Sequence, residues 1–261
     1  MNTILVSSHR RSGTHFLIDS LRKHIEDAEF PSHRHLPVDF NLGSLFSKDE
    51  KVYDAFTKLI SVSTPVIIKS HLLPEECHLQ SPKDKYEELI KEIFVKSKKL
   101  YISRDGKEVL ISLYKFLSPS CTFSEFIREN NDHVVREVRS NLDFDANRVS
   151  YWSYHTSQWQ QEQAVKQLSF SELKNDFQAA MREILQFLGY SEPATIIKPA
   201  IPDILWWQRI QRKLNHYGLA KLPESSSVRP NKRVAAGANQ YFANAEDEQF
   251  FQTNKMKYPI D

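Results

Sequence analysis

Glycine is scarce. Only six of the 261 residues are glycine, about 2%, against a usual share of roughly 7%. Together with 12 prolines, this excludes collagen-like and Gly/Pro-rich low-complexity chains. There are two cysteines, Cys77 and Cys121, too few for a disulfide framework and without zinc-site spacing. They read as reduced thiols. Charge of one sign is missing too. Lys and Arg total 35 and Asp and Glu 33, a net charge of +2, which lacks the basic excess of a nucleic-acid binder. No run approaches 18 apolar residues, so no membrane span is expected. The first residues, MNTILVSSHRRSG, are too polar for a signal peptide, so the expected location is cytoplasmic.

What is present is a chain able to bury a large core, 40% hydrophobic and 11% aromatic. TILVS (3–7) reads as a buried strand. SSHRRSG follows as a polar loop, and THFLIDSLRKHI places Phe16, Leu17, Leu21 and Ile25 at helical spacing. Residues 27–64 read as irregular. Further strands are expected at 64–70, 99–103 and 166–170. Helices are expected from Ser81-Pro82 onward, at 106–116, 123–140, 148–165, 177–188 and 203–216, with a long loop over 221–238. Strands alternating with helices predict one α/β domain over 1–261, a three-layer αβα arrangement around a parallel sheet.

Four segments carry chemistry. In SSHRRSGTH, a loop between a buried strand and a helix gathers backbone N–H groups. The helix N-terminus adds partial positive charge, and Arg10, Arg11, Ser12, Thr14 and His15 add side-chain donors. This suits a phosphate or sulfate. The patterns GxxxxGK[ST] and GxGxxG are both absent, so the loop is not a standard ATP or NAD loop. In IIKSHLLP (67–74), Lys69 and His71 stand two apart at the carboxyl end of a strand, where ligands of open α/β sheets bind. A histidine there suits a general base. In KLYISRDGKEVLISLYKF (99–116), Arg104 follows a strand and Ser112 lies on the next helix, a plausible phosphate clamp. RPNKR (229–233) is a basic loop.

These pieces, in this order, resemble the cytosolic-type sulfotransferases that use 3′-phosphoadenosine 5′-phosphosulfate. The loop is similar to their YPKSGTTW, KSHLLP to their KTHLP, and YISRDGKEVLISLYKF (101–116) to their YxxRxxKDxxxSxYxF. LSFSELKNDFQAAMREILQFLG (168–189) resembles their YEDL segment and following helix. The resemblance implies a P-loop-like fold and transfer of a sulfuryl group to a hydroxyl or amine of a small-molecule acceptor, with no nucleic acid and no metal. It implies that Arg11, Ser12, Gly13, Thr14 and His15 hold the 5′-phosphosulfate, with Arg10 alongside, that Phe16 stacks on the adenine, and that Arg104 and Ser112 bind the 3′-phosphate. Lys232 and Arg233 align with the basic pair that closes on that phosphate. His71 matches the catalytic base, and Lys69, with Arg11, the cations at the transferring group.

Some positions depart from the family pattern. Arg11 replaces a lysine, Phe16 a tryptophan, and Phe170, beside the adenine, a tyrosine. In the late loop Val234 replaces a glycine. QYFANAEDE (240–248) does not keep the relatives' dimer segment, so no mode of dimerisation follows. A P-loop-like kinase or nucleotide hydrolase, and a non-catalytic nucleotide-binding relative, stand as the rival readings.

Overall fold

A computed structural model describes residues 2–25, 40–129, 147–191, 193–199 and 241–256. Strand β1 (Thr3–Ser7) leads into helix α1 (Thr14–His24). A 3-10 turn (Leu42–Ser47) and α2 (Glu50–Ile60) precede β2 (Val66–Ser70). A short turn of helix, α3 (Pro74–Cys77), and α4 (Lys85–Lys96) lead to β3 (Lys98–Ser103) and α5 (Gly106–Leu117). Then come α6 (Phe123–Arg128), α7 (Arg148–Gln161), β4 (Val165–Ser169), α8 (Phe170–Asn175), α9 (Phe177–Leu188) and α10 (Ala245–Lys255).

The four strands are all parallel, in the order β2-β1-β3-β4. The chain leaves β1 to one side for β2 and then crosses to the other side for β3. That reversal opens a crevice at the carboxyl end of β1, the place where open α/β sheets bind ligands. Each strand ends on a serine: Ser7, Ser70, Ser103 and Ser169.

Side chains alternate across the sheet, and each set meets its own layer of helices. Ile4, Val6, Ile67, Leu100, Ile102 and Leu168 pack with α1, α8 and α9. Leu5, Val66, Ile68 and Tyr101 face the 3-10 turn, α2, α4 and Trp159. Each fully buried aliphatic side chain contributes about 1.5–3 kcal/mol. The expected three-layer αβα arrangement is therefore the observed one. A third apolar cluster joins α5, α6, α7 and α10.

Four local expectations need correction. Residues 50–60 are helical, not irregular: Asp49 caps the helix through Lys51 N–H, and Val52, Phe56 and Leu59 form its buried stripe. Helix α4 starts later than Ser81-Pro82, because the Asp84 carboxylate accepts from both Tyr86 and Glu87 N–H. Helix α6 stops at Arg128 and α7 at Gln161, each short of the expected end. The helix α10 was not anticipated from the sequence. The expected helix 203–216, with Trp206 and Trp207, and the late loop 221–238 lie outside the described residues.

Candidate active site

The loop from Ser8 to Gly13 is built for an anion. Arg11 and Gly13 both have left-handed backbone, with φ of 69° and 104°. Such residues turn successive N–H groups toward one concavity. Helix α1 starts at Thr14 with no side chain capping it and no acidic residue in its first turn. Its positive end is therefore uncompensated within the helix. Gly13 is required on two counts. Its φ suits only glycine well, and a Cβ there would lie 2.3 Å from Cδ2 of Phe170. Ser12 is fully buried, and its hydroxyl has no hydrogen-bond partner among the described residues. A buried hydroxyl without a partner is costly. Phosphate or sulfate oxygens in the loop are the acceptors that would satisfy it, so this loop fits the 5′-phosphosulfate group.

Arg104, Ser112 and Arg11 come together although the sequence separates them. Arg11 Nε donates to Ser112 Oγ at 3.2 Å, and the guanidinium lies 4.6 Å from the centre of the Phe116 ring. Arg104 Nη1 donates to the Arg11 carbonyl at 3.3 Å. The Arg104 guanidinium also lies 4.9 Å from the Phe170 ring centre and pairs with Glu108 through Nε at 2.8 Å. Phe16 is buried and meets Phe170 and Phe177 edge-on, with ring centres 6.1 and 5.9 Å away. Asp105 caps the start of α5 by accepting from Glu108 N–H, and Gly106, its first residue, leaves room for the Trp152 ring, which a Cβ would meet at 2.5 Å.

The second half of the site lies one strand over. Strand β2 ends at Ser70, so His71 stands just past it. His71 Nδ1 lies 2.8 Å from the Ser8 carbonyl oxygen and 3.5 Å from Ser8 Oγ. A carbonyl only accepts, so Nδ1 carries the proton and Nε2 is left with its lone pair. This is the tautomer a general base needs. Burial, then the Lys69 charge, holds the His71 pKa well below its ordinary value, and Arg10 adds to the shift. Lys69 itself is buried, 4% exposed. The two arginines of the loop thus divide: Arg11 contacts α5, while the charge of Arg10 is the one felt at His71. Ser8 Oγ lies 2.5 Å from Thr14 Oγ1, which ties the loop to the first turn of α1.

Sequence reasoning overlooked a group of rings behind His71. His155 and Trp159 of α7, Tyr101 of β3 and His9 of the loop are all buried. Burial lowers the His9 pKa to about 4 and holds that of His155 well below the usual range. The available signal was the composition of α7, RVSYWSYHTSQWQQ. Polar residues occur all round this helix, yet most of them are buried, which calls for specific partners. The expected phosphate partners Lys232 and Arg233 lie outside the described residues.

A four-stranded parallel sheet flanked by helices, with a turn of left-handed residues after its first strand and cationic groups at the strand ends, is an α/β fold of the P-loop-like kind. Residues 1–203 match the sulfotransferase domain, and the chain belongs to that family. It is 22% identical to sulfotransferase 1A1 of Canis lupus familiaris over 95% of this chain and 80% of that protein. It is 26% identical to sulfotransferase 1A1 of Mus musculus over 73% of this chain and 60% of that protein. Its fold is similar to that of a mouse sulfotransferase complexed with PAP, with a TM-score of 0.59, 16% identity and coverage of 99% and 86% of the two chains. It is also similar to a retinol dehydratase in complex with retinol and PAP, with a TM-score of 0.55, 14% identity and coverage of 100% and 83%.

Proposed function

We propose that this protein transfers the sulfuryl group of 3′-phosphoadenosine 5′-phosphosulfate to a hydroxyl or amine of a small-molecule acceptor. The observation that carries this reading is the Arg11 to Ser112 hydrogen bond, which brings the anion loop and the second phosphate motif to one place. One donor molecule with a 5′-phosphosulfate and a 3′-phosphate accounts for both sets of cations. Relatives solved with PAP support the same donor.

Ser12, Gly13, Thr14 and His15 hold the 5′-phosphosulfate at the helix N-terminus. Arg104 and Ser112, with Lys232 and Arg233, hold the 3′-phosphate. Phe170 supplies the apolar surface beside the adenine, and the buried Phe16 packs behind it. The acceptor oxygen attacks sulfur, and its proton passes to His71 Nε2. The S–O bond to the 5′-phosphate breaks, and 3′-phosphoadenosine 5′-phosphate leaves with the electron pair. Lys69, with Arg11 and Arg10, offsets the negative charge on the bridging and sulfuryl oxygens. Arg11 stays protonated, so it stabilises the leaving phosphate without giving it a proton.

Calorimetry with 3′-phosphoadenosine 5′-phosphate and with AMP tests the donor site. The wild type is expected to prefer the 3′-phosphorylated nucleotide by at least about 100-fold, since hydrogen bonds to a charged group contribute about 1.5–3 kcal/mol each. Arg104→Ala is expected to remove most of that preference. Equal binding of both nucleotides by the wild type contradicts the proposal.

A further inference from the structure

Two ring N–H donors on one face of α7 hold the backbone that carries His71. His155 Nε2 lies 3.3 Å from the His71 carbonyl oxygen. Trp159 Nε1 donates to the Leu72 carbonyl at 2.9 Å. Positions 155 and 159 are four apart, so both side chains leave the same face of the helix, and they grip consecutive carbonyls. A third ring supports them from the sheet. Tyr101 stacks on Trp159 with ring centres 5.3 Å apart and planes 6° from parallel. Its hydroxyl lies 3.1 Å from His155 Nδ1. The His71 carbonyl can only accept, so His155 Nε2 carries the proton. His155 Nδ1 is then an acceptor for the Tyr101 hydroxyl, and at 3.1 Å it is the nearer one, Thr156 Oγ1 lying 3.5 Å away. A chain of hydrogen bonds therefore runs from Tyr101 of the strand below through His155 to the His71 carbonyl, and His71 Nδ1 in turn meets the Ser8 carbonyl of the anion loop.

We propose that His155 and Trp159 are positioning residues for His71, with Tyr101 setting the tautomer of His155. The inference rests on His71 being the base. None of the three touches the reacting atoms; they act on where His71 Nε2 stands. The His71 ring is also held directly, by Nδ1 on the Ser8 carbonyl, so His155 and Trp159 act on the backbone that carries it. Ser70 Oγ accepts from Leu72 N–H and Glu76 accepts from Leu73 N–H, which shapes the turn without orienting the imidazole. Small displacements of a catalytic group of about 1 Å can cost on the order of 100-fold in rate.

The test compares His155→Gln, His155→Phe and Trp159→Phe. The glutamine amide reaches the place of Nε2 and keeps the donor, whereas phenylalanine keeps the ring shape and loses it. Turnover is normalised to the number of sites that bind 3′-phosphoadenosine 5′-phosphate, so that a loss of folded protein does not count as a loss of rate. For His155→Phe the expected result is a kcat lower by about 10- to 100-fold, with acceptor KM and nucleotide affinity within about twofold of wild type. His155→Gln is expected to recover most of kcat, and Trp159→Phe to fall between. Nitrogen-15 spectra of the histidine rings supply a readout independent of turnover: wild-type His71 shows a protonated Nδ1 and a bare Nε2, and the His155→Phe spectrum shows a mixed or mobile ring.

An unchanged kcat in His155→Phe, or an equal loss in His155→Gln, overturns the inference. His71→Ala separates this from the larger reading. If the wild type transfers sulfuryl groups and His71→Ala is as fast, the base assignment itself has failed. If His71→Ala is inactive while His155→Phe is normal, only the positioning role has failed.

Discussion

Gly13 shows how one residue carries two constraints. Its backbone must be left-handed, and its missing Cβ leaves room for Phe170. Gly13→Ala is expected to cost about 1–3 kcal/mol in urea unfolding. Adding Phe170→Ala should relieve the contact but not the backbone strain, so the double variant should be more stable than the sum of the singles predicts. Strictly additive costs would show that the ring contact does not matter. The sequence singled out His71 by its place after a strand and by the resemblance of KSHLLP to the family's KTHLP, and the structure puts it just past β2 with its ring against Ser8. His155 was not legible: nothing in SYWSYHTSQW says which way a helix will face, and its partners, the His71 carbonyl and the Tyr101 hydroxyl, come from distant segments.

At the scale of elements, α7 and α10 matter more than their sequences announce. Helix α10 follows the late basic segment and is anchored by two ionic contacts of unequal weight. Asp247 is buried and accepts from Ser124 Oγ at 2.7 Å and from Arg128. Lys107 and Glu248 meet at 2.5 Å but are about one-third exposed. Asp247→Ala should therefore cost about 1–3 kcal/mol, and Lys107→Ala less than about 1 kcal/mol. Thermal unfolding of the two variants checks the order, and the reverse order contradicts it. The strands were readable because β-branched and apolar runs bounded by polar loops have few alternatives. Helix α2 was also readable in principle, since Val52, Phe56 and Leu59 recur at helical spacing after a capping aspartate. Helix α10 was not, because its core contact rests mainly on Phe251 and two polar residues, Asp247 and Asn254.

Across the described residues, three histidines, the buried His9 and His155 and the part-buried His71, link stability to pH. His9, His71 and His155 all have folded-state pKa values below the ordinary 6.5, His9 at about 4. Above pH 6.5 both folded and unfolded chains keep them neutral. Below it the unfolded chain takes up protons that the folded chain refuses. Stability should thus fall as pH drops from 6.5 toward 4, by up to about 1.4 kcal/mol per pH unit for each histidine. Urea unfolding at stepped pH measures the slope, and a flat profile over that window contradicts the burial argument. The same shifts predict that kcat/KM stays level from pH 6.5 upward on the basic side of His71, because its neutral form is the active one and already dominates there.

The central claim is that the anion loop, Arg104, Ser112 and His71 form one sulfuryl-transfer site. The most direct measurement is transfer from 3′-phosphoadenosine 5′-phosphosulfate labelled with sulfur-35 across a broad panel of hydroxyl and amine acceptors, with product masses identified. The wild type should form a sulfated product, and His71→Ala should lose at least about 100-fold in kcat with nucleotide affinity unchanged. Tight nucleotide binding without any sulfated product, or equal turnover in His71→Ala, would contradict it.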